Sequence, residues 1–244
     1  MGLPRIIAID GPAASGKSTL ARRLAKALDY LYFDTGVLYR AVTWAALQQG
    51  LALDDEAAIA ALAASLPIEV RPPSQEDGRS NDVWVAGRDV TWAIRSPQVD
   101  AWVSVVAAHP GVRRALLETQ RRIGRQGRVV MVGRDIGTVV LPDADLKIYL
   151  DASLEERARR RYAELQQRGA SVTYDEVLAR TRARDQMDAS RATAPLRPAP
   201  DAVVIVTDGL TADEVFARVW DVIQRHNHHH APESGPAPQE AERA

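Results

Sequence analysis

Short apolar runs alternate along this chain with stretches in which apolar residues recur every three or four positions. Five of the runs, at residues 5–10, 30–33, 128–132, 146–150 and 202–206, are apolar on both faces, the pattern of strands buried inside a parallel sheet. A helical pattern follows each. After the first, Leu20, Leu24 and Leu28 recur four residues apart and turn one stripe toward a core. After the fourth, Ser153 precedes Glu155 and Glu156, an N-cap with acidic residues in the first turn, and Gly169 supplies the stop. Strand and helix in succession predict an α/β fold, a parallel sheet covered by helices on both faces.

Residues 67–95 depart from this rhythm. Ile68 and Val70 alternate with Glu69 and Arg71, a Pro-, Gly-, Asn- and Asp-rich stretch follows, and Val83-Trp84-Val85-Ala86-Gly87 reads as a returning strand. A small antiparallel β insert is expected there, with Trp84, Trp92 and Trp102 as packing residues. Helices resume at Ser96-Pro97, break near Pro110 and run to about Gly127. From His226 the chain turns to His, Pro, Glu and Ala, which offer little apolar surface to offset chain entropy. A disordered tail over 226–244 is expected, and its His228-His229-His230 run is read as part of that tail rather than as a metal site.

Composition narrows the classes. The 244 residues, 46% hydrophobic and 26% charged, belong to a globular protein. The absence of cysteine excludes disulfides, zinc–cysteine sites, iron–sulfur clusters and thiol nucleophiles. A formal net charge of −1 argues against a general nucleic-acid coat or a membrane-surface protein. No secretory h-region and no long apolar span stand in the sequence, so a soluble, cytoplasmic protein is expected, and a monomer. Only Lys17, Lys26 and Lys147 are lysines, which leaves most of the basic charge on arginine, the residue suited to bidentate phosphate contacts.

The chemistry begins directly after the first strand. Gly11-Pro12-Ala13-Ala14-Ser15-Gly16-Lys17-Ser18, followed by Thr19, matches G-x-x-x-x-G-K-[ST] and leads into an amphipathic helix, the context that a phosphate-binding loop requires. A glycine-permitted backbone wraps its N–H groups around phosphate oxygens, Lys17 reaches the β- and γ-phosphates of ATP, and Ser18 supplies a hydroxyl for Mg²⁺. The D-x-x-G and N-K-x-D segments of a GTPase switch are not found, which points away from that class.

Three further segments carry a resemblance. Phe33-Asp34-Thr35-Gly36-Val37-Leu38-Tyr39-Arg40, Gly133-Arg134-Asp135-Ile136-Gly137-Thr138-Val139-Val140, and the stretch from Arg184-Asp185 to Ala194-Pro195-Leu196 follow the loop in an order and spacing that closely resemble bacterial cytidylate kinases. The resemblance covers about residues 4–225. It implies a P-loop nucleoside monophosphate kinase fold, with a five-stranded parallel sheet flanked by helices, a small β insert and a helical lid. On that template the kinase domain is 1–225, with core segments 1–66, 96–152 and 192–225, the insert at about 67–95 and the lid at about 153–191. The implied reaction passes a phosphoryl group from ATP to CMP or dCMP.

The same resemblance implies roles residue by residue. Arg40, Arg134 and Arg191 would hold the acceptor phosphate, Ser104, Arg113 and Asp135 would read cytosine, and Tyr39, Arg184 and Asp188 would hold the sugar, with Thr35 in the same substrate segment. Arg157 and Arg161, spaced to share one helix face, would swing over the phosphates with Arg191 as the lid closes. Glu156 and Arg160 read as an ordinary helix pair, and Arg184 with Asp188 also fits a plain surface pair. The rivals are another P-loop kinase of UMP/CMP, adenylate or shikimate type, and an ATP-binding switch that transfers nothing. The β insert and the Asp135 segment speak against the former, and the arginines expected opposite the loop against the latter.

Overall fold

The computed structural model describes residues 3–191 and 193–229. Its strands are β1 (Ile6–Asp10), β2 (Leu31–Asp34), β3 (Ile68–Arg71), β4 (Asp82–Val85), β5 (Arg88–Asp89), β6 (Val129–Val132), β7 (Leu146–Asp151) and β8 (Val203–Val206). Between them run the helices α1 (Lys17–Leu28), α2 (Gly36–Gln48), α3 (Glu56–Ser65), α4 (Pro97–Val106), α5 (Pro110–Arg125), α6 (Leu154–Gln167), α7 (Tyr174–Ala189) and α8 (Ala212–His229).

Five strands form one sheet in the order β2-β6-β1-β7-β8, and every pairing in it is parallel. Side chains alternate across it. Ile7 and Ile9 with Val130 and Val132 pack under α1 and α8, while Ala8, Val129 and Met131 pack against α2, α4 and α5 on the opposite face. Each of the five apolar runs is therefore a strand, but full burial on both faces belongs to the central ones. β8 is an edge strand in which Ile205 is buried while Val204 and Val206 are 52% and 57% exposed. An apolar run records that a strand can be covered twice, whereas its place in the sheet decides whether it is.

The insert is a separate antiparallel sheet, β3-β4-β5, whose buried Val83 and Val85 join the core beside α2. Arg79 closes its turn on Asp77, Asp82 and Asp89. Two tryptophans correct the packing expectation, because Trp92 and Trp102 are 49% and 43% exposed. Trp92 lies along the insert's surface, donating its indole N–H to Asp77 with the Arg95 guanidinium over its ring.

Helix ends follow their local chemistry. Ser96 accepts the Val99 N–H at the start of α4, and Pro110 opens α5 four residues past the end of α4. Ser153 accepts the Glu156 N–H, and Gly169 leaves α6 with a φ of 74°. A capping box of Thr173 and Glu176 starts α7. The last helix corrects the tail boundary, since α8 continues through 226 to His229. Val215, Val219 and Ile223 anchor it to the sheet, and nothing after them breaks a helix until Pro232. The rest of the expected tail, 230–244 with His230, lies outside the described residues.

Candidate active site

The turn between β1 and α1 is built from backbone. Gly11 has φ 144°, and a Cβ there would stand 2.0 Å from the Leu150 carbonyl oxygen, so only glycine lets β1 leave the sheet this close to β7. Ala14 and Gly16 are left-handed at φ 61° and 95°, which curls the chain into a concave row of N–H groups ahead of α1. Two distant side chains hold the outer side of this curl. Thr207 Oγ1 donates to the Ser15 carbonyl at 3.4 Å, and Arg157 Nη1 donates to the Ala13 carbonyl at 3.3 Å.

Lys17 opens α1 and is buried. Its ammonium folds back onto the Pro12 carbonyl at 2.5 Å and Ser15 Oγ at 3.3 Å. Burial, then the neighbouring Arg134, hold it well below the ordinary lysine pKa, while Asp34 and Asp10 push it up. Anionic phosphate oxygens would relieve that strain on its charge. Ser18, one residue on, is half-buried and Thr19 exposed.

The segment after β6 is tied to the loop by Asp10. Its two carboxylate oxygens accept the N–H groups of Ile136 and Gly137, each at 2.8 Å, and so fix the π-helical turn Ile136–Val140 that follows Arg134 and Asp135. Burial raises the Asp10 carboxyl to about 6, against the pull of those two N–H bonds.

Arginines and carboxylates gather beside this turn. Arg134 Nε donates to Asp188 at 2.9 Å, and Arg191 donates to the other oxygen of the same carboxylate. Burial pushes the Asp188 carboxyl up, but Arg134 and Arg191 outweigh it and hold it below the usual range. Arg113 is buried against Asp135 at 2.5 Å and also donates to the Ala107 carbonyl. Arg40 pairs with Asp100 at 2.7 Å and donates to the Ile94 carbonyl at 3.1 Å. The buried Nε of Arg184 has no hydrogen-bond partner, as is also true of Arg191 Nε, but Arg191 still holds Asp188 through its Nη2. Burial and Arg134 lower the Arg184 guanidinium to about 10. Arg184 shares a face of α7 with Asp188, yet no bond joins the two, so the plain-pair reading does not hold.

Three further expected residues are buried. Thr35 is buried with its hydroxyl spent on the Val132 carbonyl at 3.0 Å. The Tyr39 hydroxyl accepts from Gln120 at 3.2 Å, inside the core, and its ring lies under Arg113 with 5.5 Å between guanidinium carbon and centroid. Ser104 is buried on α4. The two expected lid arginines separate as well. Arg161 pairs with Glu164 on its own helix, whereas Arg157 is buried and bidentate to Asp185 at 2.9 and 2.6 Å. Arg157 is a fixed strut between α6, α7 and the loop, since its Nε also donates to the Ala152 carbonyl. Glu156 and Arg160 form the expected helix pair, and Arg160 reaches on to Thr207.

The loop and the arginines gathered beside it outline a phosphate site, and comparison with known proteins supplies the family. The cytidylate kinase family model matches residues 7–225. The chain belongs to the cytidylate kinase family. It is 55% identical over 219 residues to the cytidylate kinase of Chloroflexus aggregans, covering 90% of this chain and 94% of that one. The cytidylate kinase of Herpetosiphon aurantiacus is 53% identical over 223 residues, 91% of this chain and 96% of its own.

Sequence reasoning passed over Asp10, Asp100 and Asp185. Asp10 and Asp185 stand inside or beside quoted motifs, so their positions were available. Asp100 carries no local signal, because its partner Arg40 lies in another helix.

Proposed function

We propose that this kinase transfers the γ-phosphate of ATP to CMP or dCMP, giving ADP and CDP or dCDP, in the pyrimidine nucleotide metabolism of the cytoplasm. The observation that carries the reading is the gathering of Arg134, Arg191 and Arg113 on Asp188 and Asp135 at the segment that Asp10 ties to the phosphate loop. Donor and acceptor phosphates are both anionic, and only a convergent set of cations brings them together.

The donor triphosphate sits in the loop 11–16, where backbone N–H groups and Lys17 meet the β- and γ-oxygens. The acceptor phosphate takes Arg40, Arg134 and Arg191. Asp135 accepts from the cytosine N4 amine while Arg113 faces its acceptors, and uracil would set a carbonyl oxygen against the Asp135 carboxylate. Arg184, with its unsatisfied Nε, and Asp188 meet the sugar. The acceptor oxygen is already ionised at neutral pH, so no general base is needed, and positioning with charge stabilisation does the catalysis. The lid, about 153–191, excludes water as a competing acceptor.

Among the described residues no group of three or more His, Cys, Asp or Glu side chains is arranged to hold a metal ion. A lone Ser18 hydroxyl at the start of α1 suits Mg²⁺, which takes few protein ligands and keeps water and nucleotide oxygens. Bound through Ser18, it would neutralise β- and γ-phosphate charge.

The test is ADP release, measured against CMP, dCMP, UMP, AMP and shikimate, for the wild type and for Asp135→Ala. Turnover should favour CMP and dCMP, and the variant should lose more against CMP than against UMP. Preferred turnover of AMP, UMP or shikimate would overturn the assignment, and equal losses would remove Asp135 from base reading.

A further inference from the structure

One carboxylate at the acceptor side belongs to none of the motifs that carry the family resemblance. Asp100 lies in the first turn of α4, 41% exposed, and pairs with Arg40 at 2.7 Å. The same nitrogen of Arg40, Nη1, also donates to the Ile94 carbonyl at 3.1 Å, so this end of the guanidinium is anchored to backbone while its anionic partner can be exchanged. Asp100 is also close enough to raise the pKa of Arg184. It thus pairs with the arginine to which the proposed function gives the acceptor's phosphate, within electrostatic reach of the one to which it gives the sugar.

A nucleoside monophosphate carries close to two negative charges at neutral pH, and its oxygens match the guanidinium fork as a carboxylate does. Two anions cannot share Arg40 without repelling each other. We infer that Asp100 is an affinity-tuning residue that competes with the acceptor's phosphate for Arg40, and that it sets the affinity for the nucleoside monophosphate without taking part in transfer. The inference rests on the acceptor reading given above. Asp100 differs from Asp188 in its exposure, since Asp188 is buried between Arg134 and Arg191. A half-exposed carboxylate can turn to water and release its arginine, whereas a buried one cannot.

Steady-state kinetics of Asp100→Asn and Asp100→Glu at saturating ATP, with CMP varied, test this. An exposed pair is weak, so Asp100→Asn should lower the KM for CMP about two- to fivefold. The kcat and the KM for ATP should stay at the wild-type values. Asp100→Glu keeps the charge and should stay near the wild-type KM. Higher ionic strength should shrink the difference between wild type and Asp100→Asn. An unchanged KM in Asp100→Asn would overturn the inference, and so would a raised one, which would mean that Asp100 holds Arg40 ready for substrate. Loss of kcat alone would place Asp100 in the transfer step and also overturn it. Calorimetric CMP binding without ATP reads the same affinity independently of turnover, with Asp100→Ser as a second variant should Asp100→Asn fold poorly. Wild-type protein that binds CMP without transferring phosphate would break the kinase reading while leaving the Asp100 comparison measurable.

Discussion

The two halves of the proposed site are made of different material. The donor side is one continuous stretch of backbone, residues 11–16, shaped by left-handed φ values and pressed against β7 through Gly11. The acceptor side is a set of side chains from α2, α4, α5, the segment after β6, α7 and the stretch beyond it, where Arg40, Arg113, Arg134 and Arg191 each hold a carboxylate. Backbone N–H groups fixed by the fold need no partner exchange when a phosphate arrives. Side-chain pairs must trade one anion for another, which costs affinity and supplies choice among ligands. On the proposed reading, selectivity for the acceptor is therefore expected in the side-chain half.

The sharpest way to break that comparison is Lys17→Ala. Lys17 is the one charged side chain within the donor stretch and its helix start, and its ammonium would bind more strongly as charge builds on the γ-oxygens. Turnover should fall by about 10²–10³-fold. The circular dichroism spectrum and the melting temperature should be nearly retained, because the lost bonds to Pro12 and Ser15 are local. A loss smaller than tenfold would show that the backbone alone carries the donor half.

Asp10 joins the halves, and its titration sharpens the comparison through stability. Burial raises its pKa from 3.8 to about 6, so the folded state holds this proton more tightly than the unfolded chain does. The sign follows directly. The group's contribution is fully present below about pH 4, declines as pH rises to about 6 and is constant above that, at about 1.4 kcal/mol for each unit of raise. Asp10→Asn does not titrate. Its stability in denaturant should therefore gain on the wild type by about 2 kcal/mol between pH 4.5 and 7. A gap that is independent of pH would mean that Asp10 ionises in the folded protein as readily as in the unfolded chain, without a penalty from burial.

The same division explains how much could be read from the chain itself. The donor half was legible because its requirements are contiguous: two glycines, a lysine and a hydroxyl between a strand and a helix. The five sheet strands were legible because burial leaves an apolar run. The exposure of Val204 and Val206 was not, since the sheet order that puts β8 at an edge is settled by strands far away in sequence. In the acceptor half the positions came through resemblance, and the partners did not. Nothing local relates Arg40 to Asp100, or shows that the Thr35 hydroxyl donates to Val132 and the Tyr39 hydroxyl accepts from Gln120. Arg157 misled for a similar reason. Its helical spacing to Arg161 suggests one shared face, while the bidentate bond to Asp185 across the α6–α7 pair decides where its guanidinium lies.

The smallest predicted effect asks whether Asp188 belongs to the sugar or only to its arginines. Its carboxylate receives Arg134 on one oxygen and Arg191 on the other, so Asp188→Ala leaves two buried guanidinium groups short of a partner. That loss weakens the hold on any acceptor phosphate and should reduce kcat/KM for CMP and dCMP together. A 2′-hydroxyl that donates to Asp188 adds a term that deoxyribose lacks. One such hydrogen bond to a charged group, partly repaid by water, predicts that CMP loses about fivefold more than dCMP. Equal losses would mean that Asp188 acts only by holding Arg134 and Arg191, and the unpartnered Nε of Arg184 would then be the sugar contact left on α7. Measuring kcat/KM for both nucleotides in Asp188→Ala and in Asp188→Asn separates the two roles. The asparagine can still accept from the hydroxyl but no longer neutralises the arginines, so it should restore the CMP to dCMP ratio without restoring the common loss.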